Sequence, residues 1–129
     1  MTTEGQPRVS VLLVEDDTPM ADLIVRSLED EFQIERAASA EEAAMLLGTG
    51  SFEVLLCDHM MPGAQQGLDF LVDAQKRCPQ SRRILMTGYM NPDLISRSIA
   101  VAGLSACLMK PIRMDDLRRV LHQTLGSAF

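Results

Sequence analysis

Five short apolar runs alternate with stretches of helical period along this chain, and that alternation leaves few folds open. Val11-Leu12-Leu13-Val14, Phe32 to Ala37, Val54-Leu55-Leu56-Cys57, Arg83 to Met86 and Ser105 to Met109 are the runs, each bounded by turn residues. Short apolar runs of this kind mark strands buried on both faces, as in a parallel sheet. In the second run Ile34 is the clearest inward residue. Between the runs, Thr18-Pro19 offers an N-cap and an N1 proline, and Met20, Leu23, Ile24 and Leu28 recur at helical spacing. Ser39 and Glu42 form a capping-box pattern that opens a helix with Ala40, Ala43, Ala44 and Leu47 on one face. Leu68, Leu71 and Val72 mark a third helix, closed by Pro79. Asn91-Pro92 repeats the cap-plus-proline start for a fourth, with Ile95, Ile99 and Ala102 facing inward. The last helix spans about Met114 to Leu125 on Leu117, Val120, Leu121 and Leu125.

Right-handed crossovers allow few topologies for such a (βα)5 chain. The pattern predicts an α/β, doubly wound, parallel five-stranded sheet in the flavodoxin-like order 2-1-3-4-5, with helices on both faces. At 129 residues the chain is read as one domain. Residues 9–125 form that domain, residues 1–8 a flexible N-terminal tail and residues 126–129 a C-terminal end. A formal net charge of −6 argues against a nucleic-acid surface. No apolar run is long enough to span a membrane, and Met1 to Pro7 lacks the basic and apolar segments of a secretory signal. Cys57, Cys78 and Cys107 are odd in number and show no C-x-x-C spacing. They read as reduced thiols of a cytoplasmic protein, two of them inside apolar strands.

Ligands bind open α/β sheets in the crevice beyond the C-terminal ends of the strands. Four of those ends carry chemistry: Glu15-Asp16-Asp17 after the first strand, Asp58 after the third, Thr87 after the fourth and Lys110-Pro111 after the fifth. In the order 2-1-3-4-5 the first and third strands are neighbours, so Asp16 and Asp58 end side by side. Magnesium takes oxygen ligands, commonly one or two carboxylates with waters and phosphate oxygens. Asp16 and Asp58 can supply carboxylates, with Glu15 orienting a bound water; without a cation the three would repel one another and favour protonation. Gly48-Thr49-Gly50 follows a helix and precedes a strand, the wrong polarity for a phosphate loop.

Leu13-Val14-Glu15-Asp16-Asp17, Cys57-Asp58-His59-Met60-Met61-Pro62-Gly63, Met86-Thr87-Gly88 and Leu108-Met109-Lys110-Pro111, in that order and each at a strand end, closely resemble the receiver domain of bacterial two-component response regulators. The resemblance covers about Val9 to Leu125. It implies that Asp58 accepts a phosphoryl group from a histidine kinase or phosphotransfer protein, assisted by Thr87 and Lys110. It also implies Mg2+, or Mn2+ in its place, held by Glu15, Asp16, Asp58 and the backbone carbonyl of Met60, and a cis Lys110-Pro111 bond. Signalling would follow a phosphorylation-dependent change of the face made by helix 4, strand 5 and helix 5. Arg97, Arg113, Arg118 and Arg119 are candidate contacts there. The partners so implied are a downstream protein target or fused output domain, with a weak homodimer allowed and no direct contact to nucleic acid or membrane. Enzymatic activity is not expected beyond the chain's own phosphoryl transfer and dephosphorylation. His59 reads as a bystander.

Three departures from the family pattern stand out. Cys107 occupies the switch position where the family commonly has Tyr or Phe in the fifth strand. The loop Ala64-Gln65-Gln66 is about one residue longer than the common form. Gly88 follows Thr87 where alanine is frequent. Met60 and Tyr89, each two positions beyond a site residue, are read as modulators of phosphate lifetime. Two alternatives belong to other classes. One is a phosphate-independent pseudo-receiver, which the complete acidic set argues against and Cys107 keeps open. The other is a haloacid-dehalogenase-type phosphatase, disfavoured because Asp58 follows the third run and Met60 stands where a second aspartate is needed.

Overall fold

Backbone pairing follows the apolar runs in the computed structural model, which describes residues 8–59, 67–88, 93, 96 and 100–126. Strands β1 (Val9–Val14), β2 (Phe32–Ala37), β3 (Val54–Asp58), β4 (Arg82–Thr87) and β5 (Ala106–Met109) are joined by helices α1 (Thr18–Leu28), α2 (Ala40–Thr49) and α3 (Gly67–Arg77), and α5 (Met114–Leu125) ends the fold. A fourth helix, α4, is described at residues 93, 96 and 100–102, between β4 and β5. The sheet runs β2-β1-β3-β4-β5, and every neighbouring pair is parallel.

Alternation along the strands divides the core into two layers. Val11 and Leu13 of β1, Val54 and Leu56 of β3, and Ile84 and Met86 of β4 pack with Ala21, Ile24 and Leu28 of α1 and with Leu117, Leu121 and Leu125 of α5. Leu12, Val14, Leu55, Cys57 and Leu85 face the other way, onto Ala40 and Ala43 of α2, Phe70, Leu71 and Ala74 of α3 and Ala102 of α4. Each fully buried Leu, Ile or Val side chain contributes about 1.5–3 kcal/mol relative to exposure. The layers thereby fix which strand positions point where, up to the sheet's C-terminal edge.

Several local expectations need correction. Helix α1 begins one residue earlier than the Thr-Pro signal suggested: Asp17 is the N-cap, without a side-chain cap bond, and Thr18 is already helical. Leu23 is 47% exposed rather than inward, since α1 buries Ala21, Ile24 and Leu28 instead. Ile34 is half-buried because β2 is an edge strand, and Phe32 and Ala37 are its buried residues. On α2 only Ala40 and Ala43 are buried. The Ser39 side chain accepts from the Glu42 amide at 3.1 Å, but Glu42 Oε1 takes the amide of Ala38 at 3.0 Å, so the reciprocal arm lies one residue upstream of an ordinary capping box. Ile95, Ile99 and Asn91-Pro92 lie outside the described residues.

Among the described residues, one cation is buried in this framework. Arg83 of β4 is buried, and its guanidinium donates to the carbonyls of Ser81 at 2.7 Å, Ala102 at 2.8 Å, Gly103 at 3.2 Å and Pro79 at 3.4 Å. It satisfies carbonyls at the C-terminal end of α4, where a helix carries partial negative charge. Gly103 has φ +60, and a Cβ there would meet Gln75 Nε2 at 2.7 Å, so only glycine closes α4 this tightly against α3 and Arg83.

Candidate functional site

The register of the sheet brings the chemistry together. Val14 pairs with Cys57, Asp58 with Met86 and Thr87 with Met109. The residues at and just beyond these positions, Glu15, Asp58, Thr87 and Lys110, therefore share one edge. Glu15 continues the phase of Val11 and Leu13, Asp58 that of Val54 and Leu56, and Lys110 that of Ala106 and Leu108. Glu15, Asp58 and Thr87 are buried, Lys110 is half-buried and Asp16 is exposed. Lys110 Nζ lies 3.0 Å from Asp58 Oδ2 and 3.7 Å from Glu15 Oε1. The Lys110 amide donates to the Thr87 carbonyl at 2.7 Å, tying the two strand ends. The Lys110-Pro111 peptide is cis, as the resemblance implied.

The carboxylates are electrostatically unbalanced. Burial, then the hydrogen bond and the negative charge of Asp58, push the Glu15 carboxyl up to about 7. The Asp17 amide, donating to Glu15 Oε2 at 3.2 Å, and the Lys110 charge pull the other way. Burial would lower Lys110, but its hydrogen bond to Asp58 and the charges of Asp58, Glu15 and Asp16 outweigh burial and raise it. Glu15 Oε1 is buried and makes no hydrogen bond. One oxygen each from Glu15, Asp16 and Asp58 lies within 4.8 Å of the others. A buried carboxylate oxygen without a hydrogen bond, beside two other carboxylates, is what a hard, oxygen-seeking cation would complete, so the donor set fits Mg2+ or Mn2+.

Two features around the acidic edge escaped sequence reading. Gly67 opens α3 directly against the end of β3: a Cβ there would lie 2.0 Å from the Asp58 carbonyl oxygen. Its amide also donates to the His59 carbonyl at 3.0 Å. Nothing in the sequence marked this glycine as the contact point. Arg36, the penultimate residue of β2, donates from Nε to the Glu15 carbonyl at 2.9 Å and from Nη2 to the Asp16 carbonyl at 3.2 Å. A lone arginine at the end of the strand next to the acidic turn was the available signal.

Other expected participants fall differently. Cys107 is half-buried rather than fully so, and packs with the α2–α3–α4 layer; burial raises its thiol. Cys57 is fully buried and its thiol is pushed well up, by burial first and then by the charges of Asp58 and Glu15. His59 is half-buried and does not join the convergent carboxylates. Arg118, expected on the signalling face, instead reaches Glu31, Asp30 and the Ser27 carbonyl at the end of α1. Arg119 pairs with Asp116 at 2.6 Å on its own helix, and Arg113 is exposed at the N-cap of α5. Met60, Met61, the loop Pro62 to Gln66, Tyr89, Met90 and Arg97 lie outside the described residues. Among the described residues no helix is long and apolar enough to cross a membrane.

Comparison with known proteins agrees with this geometry. The sequence profile of the response regulator receiver domain matches residues 11–122. The hydrogenase transcriptional regulatory protein HoxA of Cupriavidus necator is 34% identical over 118 residues, covering 92% of this chain and 24% of that protein. The sensor histidine kinase AruS of Pseudomonas aeruginosa is 32% identical over 120 residues, covering 89% of this chain and 12% of that protein. The chain thus spans about a quarter or less of these two relatives. Among solved structures, a CheY-like response regulator receiver domain protein from Methanospirillum hungatei superposes with a TM-score of 0.84 at 30% identity, covering 92% of this chain and 94% of that one.

Proposed function

Because this chain belongs to the response regulator receiver domain family, we propose that it acts in two-component signalling by taking a phosphoryl group onto Asp58. The observation that carries the reading is the convergence of Asp58 with Glu15, Asp16 and Lys110 at the β1–β3 switch point. The donor is a phosphohistidine of a cognate kinase or phosphotransfer protein. An Asp58 carboxylate oxygen attacks phosphorus, a P–O bond forms as the P–N bond breaks, and the leaving imidazole keeps the electron pair and takes up a proton. Phosphoryl transfer needs mainly positioning and charge stabilisation.

Glu15, Asp16 and Asp58 would hold Mg2+, with the Met60 carbonyl, outside the described residues, as a further ligand. The cation, when bound, neutralises phosphoryl oxygens and the carboxylates at once. Lys110, now 3.0 Å from Asp58, holds the nucleophile and transfers its hydrogen bond to a phosphoryl oxygen as the carboxylate charge is consumed. The buried Thr87 hydroxyl supplies a further donor to the phosphoryl group. Met60 and Tyr89 are proposed to screen the acyl phosphate from in-line water, lengthening its life. A thiol cannot act as an aromatic rotor, so the output passes through the segment after Thr87 and α4 rather than through Cys107. Residues 9–125 are the functional unit, and its targets are a protein or a fused output domain.

Transfer of label from a histidine-phosphorylated donor tests this. One phosphoryl group per chain, labile in hydroxylamine and mapping to Asp58, is expected. Label on another residue, or no label at all, contradicts it. A phosphatase would instead release phosphate continuously from monoesters.

A further inference from the structure

The exposed Asp16 poses a positioning problem that its own side chain does not solve. Glu15 is buried in the sheet edge and its Oε2 is anchored by the Asp17 amide at 3.2 Å. Asp16 is exposed, so packing does not orient it; its direction depends on the two peptide groups that flank it. The carbonyls of those peptides are the Glu15 and Asp16 oxygens, and both accept from one guanidinium, that of Arg36, at 2.9 and 3.2 Å. Arg36 Nη2 also lies 3.4 Å from Thr18 Oγ1, at the start of α1. The register explains the reach: Arg36 pairs with Leu13, two residues before Glu15. The Glu15 amide in turn donates to the Ala37 carbonyl at 3.0 Å, fastening the same turn to the end of β2.

We infer that Arg36 is a positioning residue for the divalent cation, holding the β1–α1 turn so that Asp16 points at the same place as Glu15 and Asp58. The inference rests on the metal-dependent reading above. Its physical basis is that partners behind the ligands commonly set metal affinity by about 10–100-fold. Arginine suits the task because its planar fork of donors is rigid, whereas lysine offers a point charge on a flexible stem. Arg36 makes no ion pair with a carboxylate among the described residues, so it works through carbonyl direction and not by neutralising the acidic cluster.

Calorimetric Mg2+ titration of the unphosphorylated protein tests this, comparing wild type with Arg36→Met, Arg36→Lys, Arg36→Gln and the control Arg82→Met. Arg82 bonds the Thr124 carbonyl at 3.3 Å, away from the acidic turn. The expected result is Mg2+ binding about tenfold weaker in Arg36→Met, with Arg36→Lys closer to Arg36→Met than to wild type and Arg82→Met unchanged. A general loss of stability would not alter the affinity of the folded fraction. If Arg36→Met fails to fold, Arg36→Gln, which keeps an amide donor, should bind with intermediate affinity. Unchanged affinity in every Arg36 variant, or full rescue by lysine, overturns the positioning role while leaving the metal reading intact. A wild type that takes up no Mg2+ overturns the metal reading itself, and this inference with it.

Discussion

At the scale of single residues, Glu15 carries the most consequential perturbation. Its folded value of about 7 lies above the ordinary 4.5, chiefly through burial and then through Asp58. A raised carboxyl binds protons more tightly in the folded state, so the contribution of Glu15 to metal-free stability is fully present below about pH 4.5 and is lost as pH rises through about 7. Thermal melts of metal-free protein between pH 5 and pH 8 should therefore fall with pH, and saturating Mg2+ should restore the loss, because the cation stabilises the charged carboxylate. A metal-free melting temperature that rises over this range contradicts the assignment. Asp58→Asn should abolish phosphoryl uptake, keep the fold and flatten the same pH profile in part, since burial of Glu15 persists. Asp16→Ala should weaken Mg2+ more than Asp17→Ala, because Asp16 belongs to the convergent set while Asp17 occupies the N-cap position of α1; the reverse order would put the acidic register one residue off.

At the scale of elements, what was legible was where strands and helices lie, and what was not was how neighbours meet. The runs around Val11 and Val54 are unambiguous because a parallel sheet needs continuous apolar strands, and the carboxylates after them fall where the topology directs. Edge and contact details depend on partners distant in sequence. Leu23 sits at helical spacing yet stays exposed, Arg118 turns to the end of α1, and Arg83 is buried because backbone carbonyls, not a carboxylate, satisfy it. Gly67 is the sharpest case, since only the approach of α3 to the Asp58 carbonyl shows why a side chain is excluded. Gly67→Ala should cost about 1–3 kcal/mol by overpacking that junction and should slow phosphorylation, read from denaturant unfolding and from uptake rates. Wild-type stability in that variant would deny the close approach.

At the scale of the molecule, two core layers hold a sheet whose C-terminal edge collects the carboxylates of Glu15, Asp16 and Asp58, the Thr87 hydroxyl and the Lys110 ammonium. Order and parity do this: β1 and β3 are adjacent because the chain reverses its winding between them, and alternation then sends Glu15, Asp58 and Lys110 out of the same layer. The central claim is that this edge exists to carry a phosphoryl group on Asp58. Intact-mass analysis tests it most directly, following wild type and Asp58→Asn during incubation with acetyl phosphate, with Mg2+ and with chelator. Wild type should gain the mass of one phosphoryl group only when Mg2+ is present and lose it in hydroxylamine, while Asp58→Asn gains none. A wild type that stays unmodified, or an Asp58→Asn protein that gains the same adduct, would contradict the account.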